Sequence, residues 1–172
     1  MSAELDRIFA DTAIRTLRQL SERIAACLDK LTDEQIWFRA AGHENAVGNL
    51  VLHLCGNVHQ WIGHGVGGRP DIRMRDREFD ARGDVPPAEL KERLRTTIDE
   101  AAAVLEKVDA AGLARRVDIQ NYDVTCLEAV FHSVQHFGQH TGQIVFITKN
   151  LAGEDLGFYR HLSRPGHGEK TP

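Results

Sequence analysis

CLEAVFHSVQHFGQHTGQIVFITKN, residues 126–150, is the stretch on which the fold turns. Its apolar residues recur at helical spacing, and no charged residue interrupts it between Glu128 and Lys149. Thr125 and Glu128 form a Thr-x-x-Glu capping box, which starts a helix by pairing its free backbone N–H groups. Glu128 could otherwise serve as a general base; its position favours the cap. On a wheel of about 100° per residue, Leu127, Val130, Phe131, Val134, Thr141 and Val145 make an apolar arc. His132, His136, His140 and Gln143 lie roughly opposite its centre, with Ala129 and Ile147 on their side. A solvated face would carry Lys, Glu or Arg there. The pattern therefore predicts a helix buried on two sides, with the histidine row turned away from bulk water.

Working outward, the chain predicts three more long helices. One runs over about 3–30, with Leu5, Ile8, Phe9, Leu17, Leu20, Ile24 and Leu28 at helical spacing. The next covers about 46–65 and stops at GVGGRP, and a third covers about 87–108, with Pro86 and Pro87 suited to its first turn. A second capping box, Thr32 to Gln35, opens a short helix that carries Trp37. Residues 67–87 and 109–124 read as irregular connections, and no segment reads as a convincing strand. Four long helices imply an all-α fold, a four-helix bundle with short additional helices. Residues 1–163 are expected to form one domain, followed by a polar tail, 164–172.

The 172 residues, 42% of them apolar, suffice for one core, and the net charge of −4 offers no basic stripe for nucleic acid. No apolar run approaches the ~20 residues of a membrane span, and the N-terminus lacks the apolar segment of a secretory signal. Cys27, Cys55 and Cys126 form no CxxC pair and are odd in number, which suits reduced core residues of a cytoplasmic protein.

His136 and His140 are one helical turn apart, so their side chains can converge on one ion. Two nitrogens do not complete a site, since a catalytic zinc usually takes three protein ligands. The second long helix carries a stripe of Asn49, His53, Asn57, Gln60 and His64 beside its apolar arc. Such a stripe suits the wall of a wet internal pocket, and His53 sits mid-helix as a candidate third ligand. His64, about three turns further along, is too far to share an ion with it.

The histidine of the second long helix, inside GNLVLHLCGN (48–57), together with HFGQHTGQI (136–144), resembles the DinB/YfiT-like superfamily of metalloenzymes. The run from Val47 to Gly68, IQNYDVTCLEAVFH (119–132) and LGFYRHL (156–162) also resemble one bacterial subfamily of that group. The resemblance covers nearly the whole chain. It implies a four-helix bundle, a homodimer, and a divalent metal held by His53, His136 and His140. It does not assign His132, which stays a residue that lines the pocket or supports a ligand. It further implies transfer of a low-molecular-weight bacterial thiol to an electrophilic small molecule, or action on such conjugates.

Imidazole-only ligation suits Zn²⁺, Ni²⁺, Fe²⁺, Cu²⁺ and, less readily, Mn²⁺. Such an ion remains a Lewis acid able to activate a thiol or a water, so a hydrolase is the close variant of the transferase. A non-catalytic dimer that binds a metal or ligand is the alternative from another class. Gln143, one turn from His140, and Asn57, one turn from His53, are candidates to orient the ligand imidazoles or contact substrate. HExxH is excluded, because Phe137 follows His136, and the Glu-x-x-His motifs of di-iron bundles are absent. GVGGR lacks the Lys-Ser/Thr of a phosphate loop and is better read as a helix stop. The polar connection 67–87 is the segment expected to decide whether the site is covered.

Overall fold

The computed structural model describes residues 2–163; the expected tail, 164–172, lies outside the described residues. The four long helices appear where the spacing predicts them. They are α1 (Ser2–Leu28), α3 (Val47–Val58, prolonged by a π-helix over His59–Val66), α5 (Pro87–Leu105) and α7 (Cys126–Ala152). Between them lie α2 (Asp33–Ile36), α4 (Arg75–Asp80) and α6 (Ala110–Ala114). Helix α1 packs on α5 and α7, and α3 packs on the same two, so α1 and α3 sit across the diagonal of a four-helix bundle. The core between them holds Leu17, Ile24, Leu54, Ile62, Leu94, Leu105, Phe137 and Ile144, each essentially removed from water.

Both capping boxes form. Thr32 Oγ1 accepts from the Gln35 N–H, and Gln35 Oε1 accepts from the Thr32 N–H. Thr125 Oγ1 accepts from the Glu128 N–H at 3.2 Å, while the Glu128 carboxylate accepts from the Thr125 N–H at 2.7 Å. Glu128 is thus a cap on an exposed helix end. Pro87 starts α5, and Gly153 closes α7 in the left-handed conformation at φ 68°.

Three features depart from the expectation. First, the connection 109–124 contains an antiparallel hairpin, β1 (Arg116–Ile119) with β2 (Tyr122–Thr125). Its two-residue turn, Gln120-Asn121, has φ of 54° and 64°. Both central residues of a type I′ turn need positive φ, and the usual Asn-Gly or Asp-Gly pair is missing here. Ile119 docks on the π-helix so closely that a Cβ on Gly65 would lie 2.3 Å from its Cδ1. Second, α4 forms inside the connection read as irregular. It carries no apolar stripe, and polar contacts to α3 hold it in place instead. Third, the buried face of α7 is Cys126, Ala129, Val130, Ser133, Phe137, Thr141, Ile144 and Thr148. Leu127 and Phe131, placed in the apolar arc above, are exposed. One chain therefore buries one face of α7, and the half-buried histidine row flanks that face rather than opposing it.

Candidate metal centre

His53 projects from the middle of α3 toward α7, where His136 and His140 stand one turn apart. One ligand nitrogen from each of the three lies within 4.8 Å of the others. Among the described residues, no fourth histidine, cysteine or carboxylate joins this cluster. An ion with bonds of about 2.1 Å holds its nitrogens within about 4.2 Å of one another, close to the spacing here. His53 Nε2 meets His136 Nε2 at 2.8 Å. Two imidazole nitrogens that face each other so closely need a shared hydrogen or an ion between their lone pairs.

The protonation states suit an ion. Burial first, then the neighbouring imidazoles His140, His53 and His132 and the Arg73 guanidinium, push His136 down to about 3. Burial also lowers His140, partly offset by its bond to Gln143. Neutral imidazoles offer lone pairs at pH 7, which metal ligation requires. His140 Nδ1 lies 2.6 Å from Gln143 Oε1. The amide oxygen accepts from Nδ1–H and leaves Nε2 free for the cluster. Gln143 thus bonds a candidate ligand.

The other two candidates behave differently. Asn57, 3% exposed, accepts from Ser133 Oγ at 3.3 Å rather than bonding a histidine of the cluster, so it ties α3 to α7. His132 is half-buried, and its ring lies 3.9 Å from that of Trp61 and 5.6 Å from that of His136. It stands beside the trio without joining it. Burial keeps it neutral as well.

Sequence reasoning missed the residues behind His53. Glu78 of α4 is 8% exposed, and its Oε2 lies 2.9 Å from His53 Nδ1. Arg73 donates to the same carboxylate, Nε to Oε1 at 2.8 Å and Nη2 to Oε2 at 2.9 Å. Burial would raise the Glu78 carboxyl, but the hydrogen bonds from Arg73 and His53 outweigh it and hold the group below the usual range. Arg73 Nη1 continues to Gln60 Oε1, which also accepts from Gln120 in the hairpin turn, while Gln60 Nε2 donates to Asp71. Asn49 donates to the carbonyls of Glu78 and Ala81 at 2.9 and 3.1 Å. The polar stripe on α3 thus serves mainly to dock residues 71–81 on the bundle, not to wall a wet pocket. The one hint in the sequence was its run of uncharged hydrogen-bonding groups, which need buried partners.

No helix among the described residues is long and apolar enough to cross a membrane. No curated protein matches the chain. Solved structures share the fold. A DinB-like protein from Bacillus subtilis is 16% identical with a TM-score of 0.66, over 86% of this chain and 97% of that one. A conserved protein from Enterococcus faecalis, also 16% identical, superposes with a TM-score of 0.69 over 84% of this chain and 97% of its own. A mycothiol-dependent maleylpyruvate isomerase is 10% identical with a TM-score of 0.62, covering 78% of this chain and 60% of that one. The architecture is thus that of the DinB-like bundles. With residues 4–166 matching the family described as "Protein of unknown function (DUF1572)", the chain belongs to that DinB-like family.

Proposed function

We propose that this protein is a metal-dependent enzyme that transfers a low-molecular-weight thiol to an electrophilic small molecule. The observation that carries this reading is the convergence of His53, His136 and His140 with no fourth ligand group among the described residues. Three protein ligands suit a site that keeps a position for a reactant. His53, His136 and His140 would hold the ion, a divalent transition metal such as Zn²⁺, Ni²⁺, Fe²⁺ or Mn²⁺. When bound, the ion supplies Lewis acidity, which makes the thiolate form of a thiol available at neutral pH.

The chain's own groups fit the rest of the task. Gln143 and Glu78 accept from the Nδ1 side of His140 and His53, which keeps both Nε2 atoms turned to the cluster. Cys27 and Cys126 are buried, and burial pushes the Cys55 thiol up to about 11, so the nucleophilic sulfur belongs to the substrate. The reaction forms a C–S bond at the electrophilic carbon; the thiol proton passes to solvent, and the displaced group takes the bonding pair. A groove of about 450 Å³ beside Gln143, lined by Phe38, Leu50, Phe146 and Ile147, suits the apolar part of the electrophile. The thiol dependence of the maleylpyruvate isomerase supports the same class of co-substrate.

The test is elemental analysis of the purified, untagged protein with His53→Ala and His136→Ala beside it. The proposal expects about one equivalent of metal in the parent and none in either helical, folded variant. A parent that takes up no metal on reconstitution would sink it. Turnover of water rather than thiol by the loaded protein would favour a hydrolase, and a loaded protein inert to both would favour the non-catalytic binder. We also propose that the protein is a homodimer, with Leu127 and Phe131 as an apolar surface for it. A monomer by light scattering at micromolar concentration would refute that.

A further inference from the structure

The ion pair behind His53 stands outside the trio and yet is among the most buried charge in the chain. The Arg73 side chain is 3% exposed and that of Glu78 10%. Taking two charges from water costs several kcal/mol per ion, and hydrophobic replacements of such pairs are often no less stable. Stability alone therefore gives little reason to keep the pair.

Its hydrogen bonds indicate what it does. Glu78 is an acceptor only, and its Oε2 takes one hydrogen from Arg73 Nη2 and one from His53 Nδ1. Arg73 Nη2 also comes within 3.1 Å of His53 Nδ1, but both atoms carry hydrogens, so that approach is not a bond. The carboxylate therefore holds the hydrogen of His53 on Nδ1 and leaves the Nε2 lone pair pointing to His136.

The backbone of α3 makes room for this arrangement. Gly56 lies three residues beyond His53, on the same face of the helix. A Cβ there would sit 2.0 Å from Glu78 Oε1 and 3.0 Å from Arg73 Nε. Any side chain at position 56 would occupy the place of the carboxylate. Asn49 anchors the other end of α4 through the Glu78 and Ala81 carbonyls.

We propose that Glu78, clamped by Arg73 and seated against the bare backbone of Gly56, is the positioning residue that orients His53 for metal binding. Residues 71–81 then act as an outer brace of the metal centre, and the inference rests on the three-histidine reading above. Loss of such a partner costs about 10–100-fold in metal affinity in comparable sites.

The test combines two measurements on the full chain: zinc affinity by chelator competition, and the His53 imidazole tautomer from long-range ¹H–¹⁵N spectra of the metal-free protein. The expectation for Gly56→Ala is a helical, folded protein whose displaced carboxylate leaves His53 without its fixed Nδ1–H form. Its zinc affinity falls about 10–100-fold, as it does in Glu78→Ala. Glu78→Gln keeps an acceptor oxygen and should restore the tautomer and most of the affinity. A purely structural role would not show that rescue. If the parent binds zinc and Gly56→Ala and Glu78→Ala bind it equally well, or His53 keeps its tautomer in both, the positioning role is overturned while the metal site stands. If the parent binds no zinc, both readings fall. Gly56→Ala keeps the test decisive if Glu78→Ala does not fold, since alanine favours the helix.

Discussion

Helices α3 and α7 both lend imidazoles to the cluster, but they hold them in different ways. His53 on α3 is 5% exposed, and a charged pair from outside the bundle bonds the far side of its ring. His136 and His140 on α7 are half-buried; among the described residues the first has His53 as its side-chain hydrogen-bond partner, and the second rests on the neutral amide of Gln143, one turn along its own helix. The brace on α3 is long-range, charged and sealed from water, whereas that on α7 is local and reaches the surface. A charge-assisted hydrogen bond is roughly twice as strong as a neutral one, so the α3 half is the stiff half of the site.

The comparison breaks first at the ligands themselves. Removing either His53 or His136 should abolish metal uptake, a loss of more than about 100-fold in affinity, read by elemental analysis after dialysis. Uptake that survives His136→Ala would mean that α7 is not part of the site.

Next comes the packing that carries the α7 half. Phe137 follows His136 and is fully buried on the core face that the histidine row flanks. Phe137→Ala should cost about 3–5 kcal/mol in urea unfolding and keep the metal stoichiometry under conditions where the protein is folded. Lost stoichiometry in the folded variant would show that the core of α7, and not only its side-chain amide, sets the histidine positions.

A smaller effect separates the two braces. Gln143→Ala should weaken zinc binding by about tenfold at most, toward the lower end of the range for such partners, and by less than Gly56→Ala. The reverse order, measured by chelator competition, would make α7 the stiff half.

The smallest effect lies at the start of α7. Thr125→Ala should cost about 1 kcal/mol and leave metal affinity unchanged. Glu128 in the same cap sits below the usual carboxylate range, because the Thr125 N–H and hydroxyl bond its ionised form. A carboxylate depressed in the folded state contributes stability above its unfolded value and loses it as pH falls through the folded one. The stability gap between the parent and Glu128→Gln should therefore be full at neutral pH and vanish in acid, as followed by unfolding at several pH values.

How far the sequence was legible follows the range of the interactions. The helix starts at Thr32 and Thr125 are local, with cap and partner three residues apart. His136, His140 and Gln143 share a helix, so their spacing is geometry that the chain carries within itself. The hairpin escaped because Gln120-Asn121 adopts positive φ without the glycine that usually marks such a turn. That Leu127 and Phe131 face away from the bundle was not legible, because wheel and hydropathy alone do not say which side of a helix meets a neighbour.

Arg73 and Glu78 were invisible for a deeper reason. In a polar connection of Arg, Asp and Glu, nothing local distinguishes a buried pair from solvated charges, and their partners His53 and Gln60 lie 25 and 13 residues away. By itself, then, the sequence determined the helices, their caps and the row of candidate ligands, because helical periodicity acts over a few residues. Only the tertiary structure decided that α3 meets α7 at His53, and that Gly56 leaves room for a carboxylate behind it. Those contacts depend on packing between elements far apart in the chain, where steric fit and desolvation, not spacing, choose the partners.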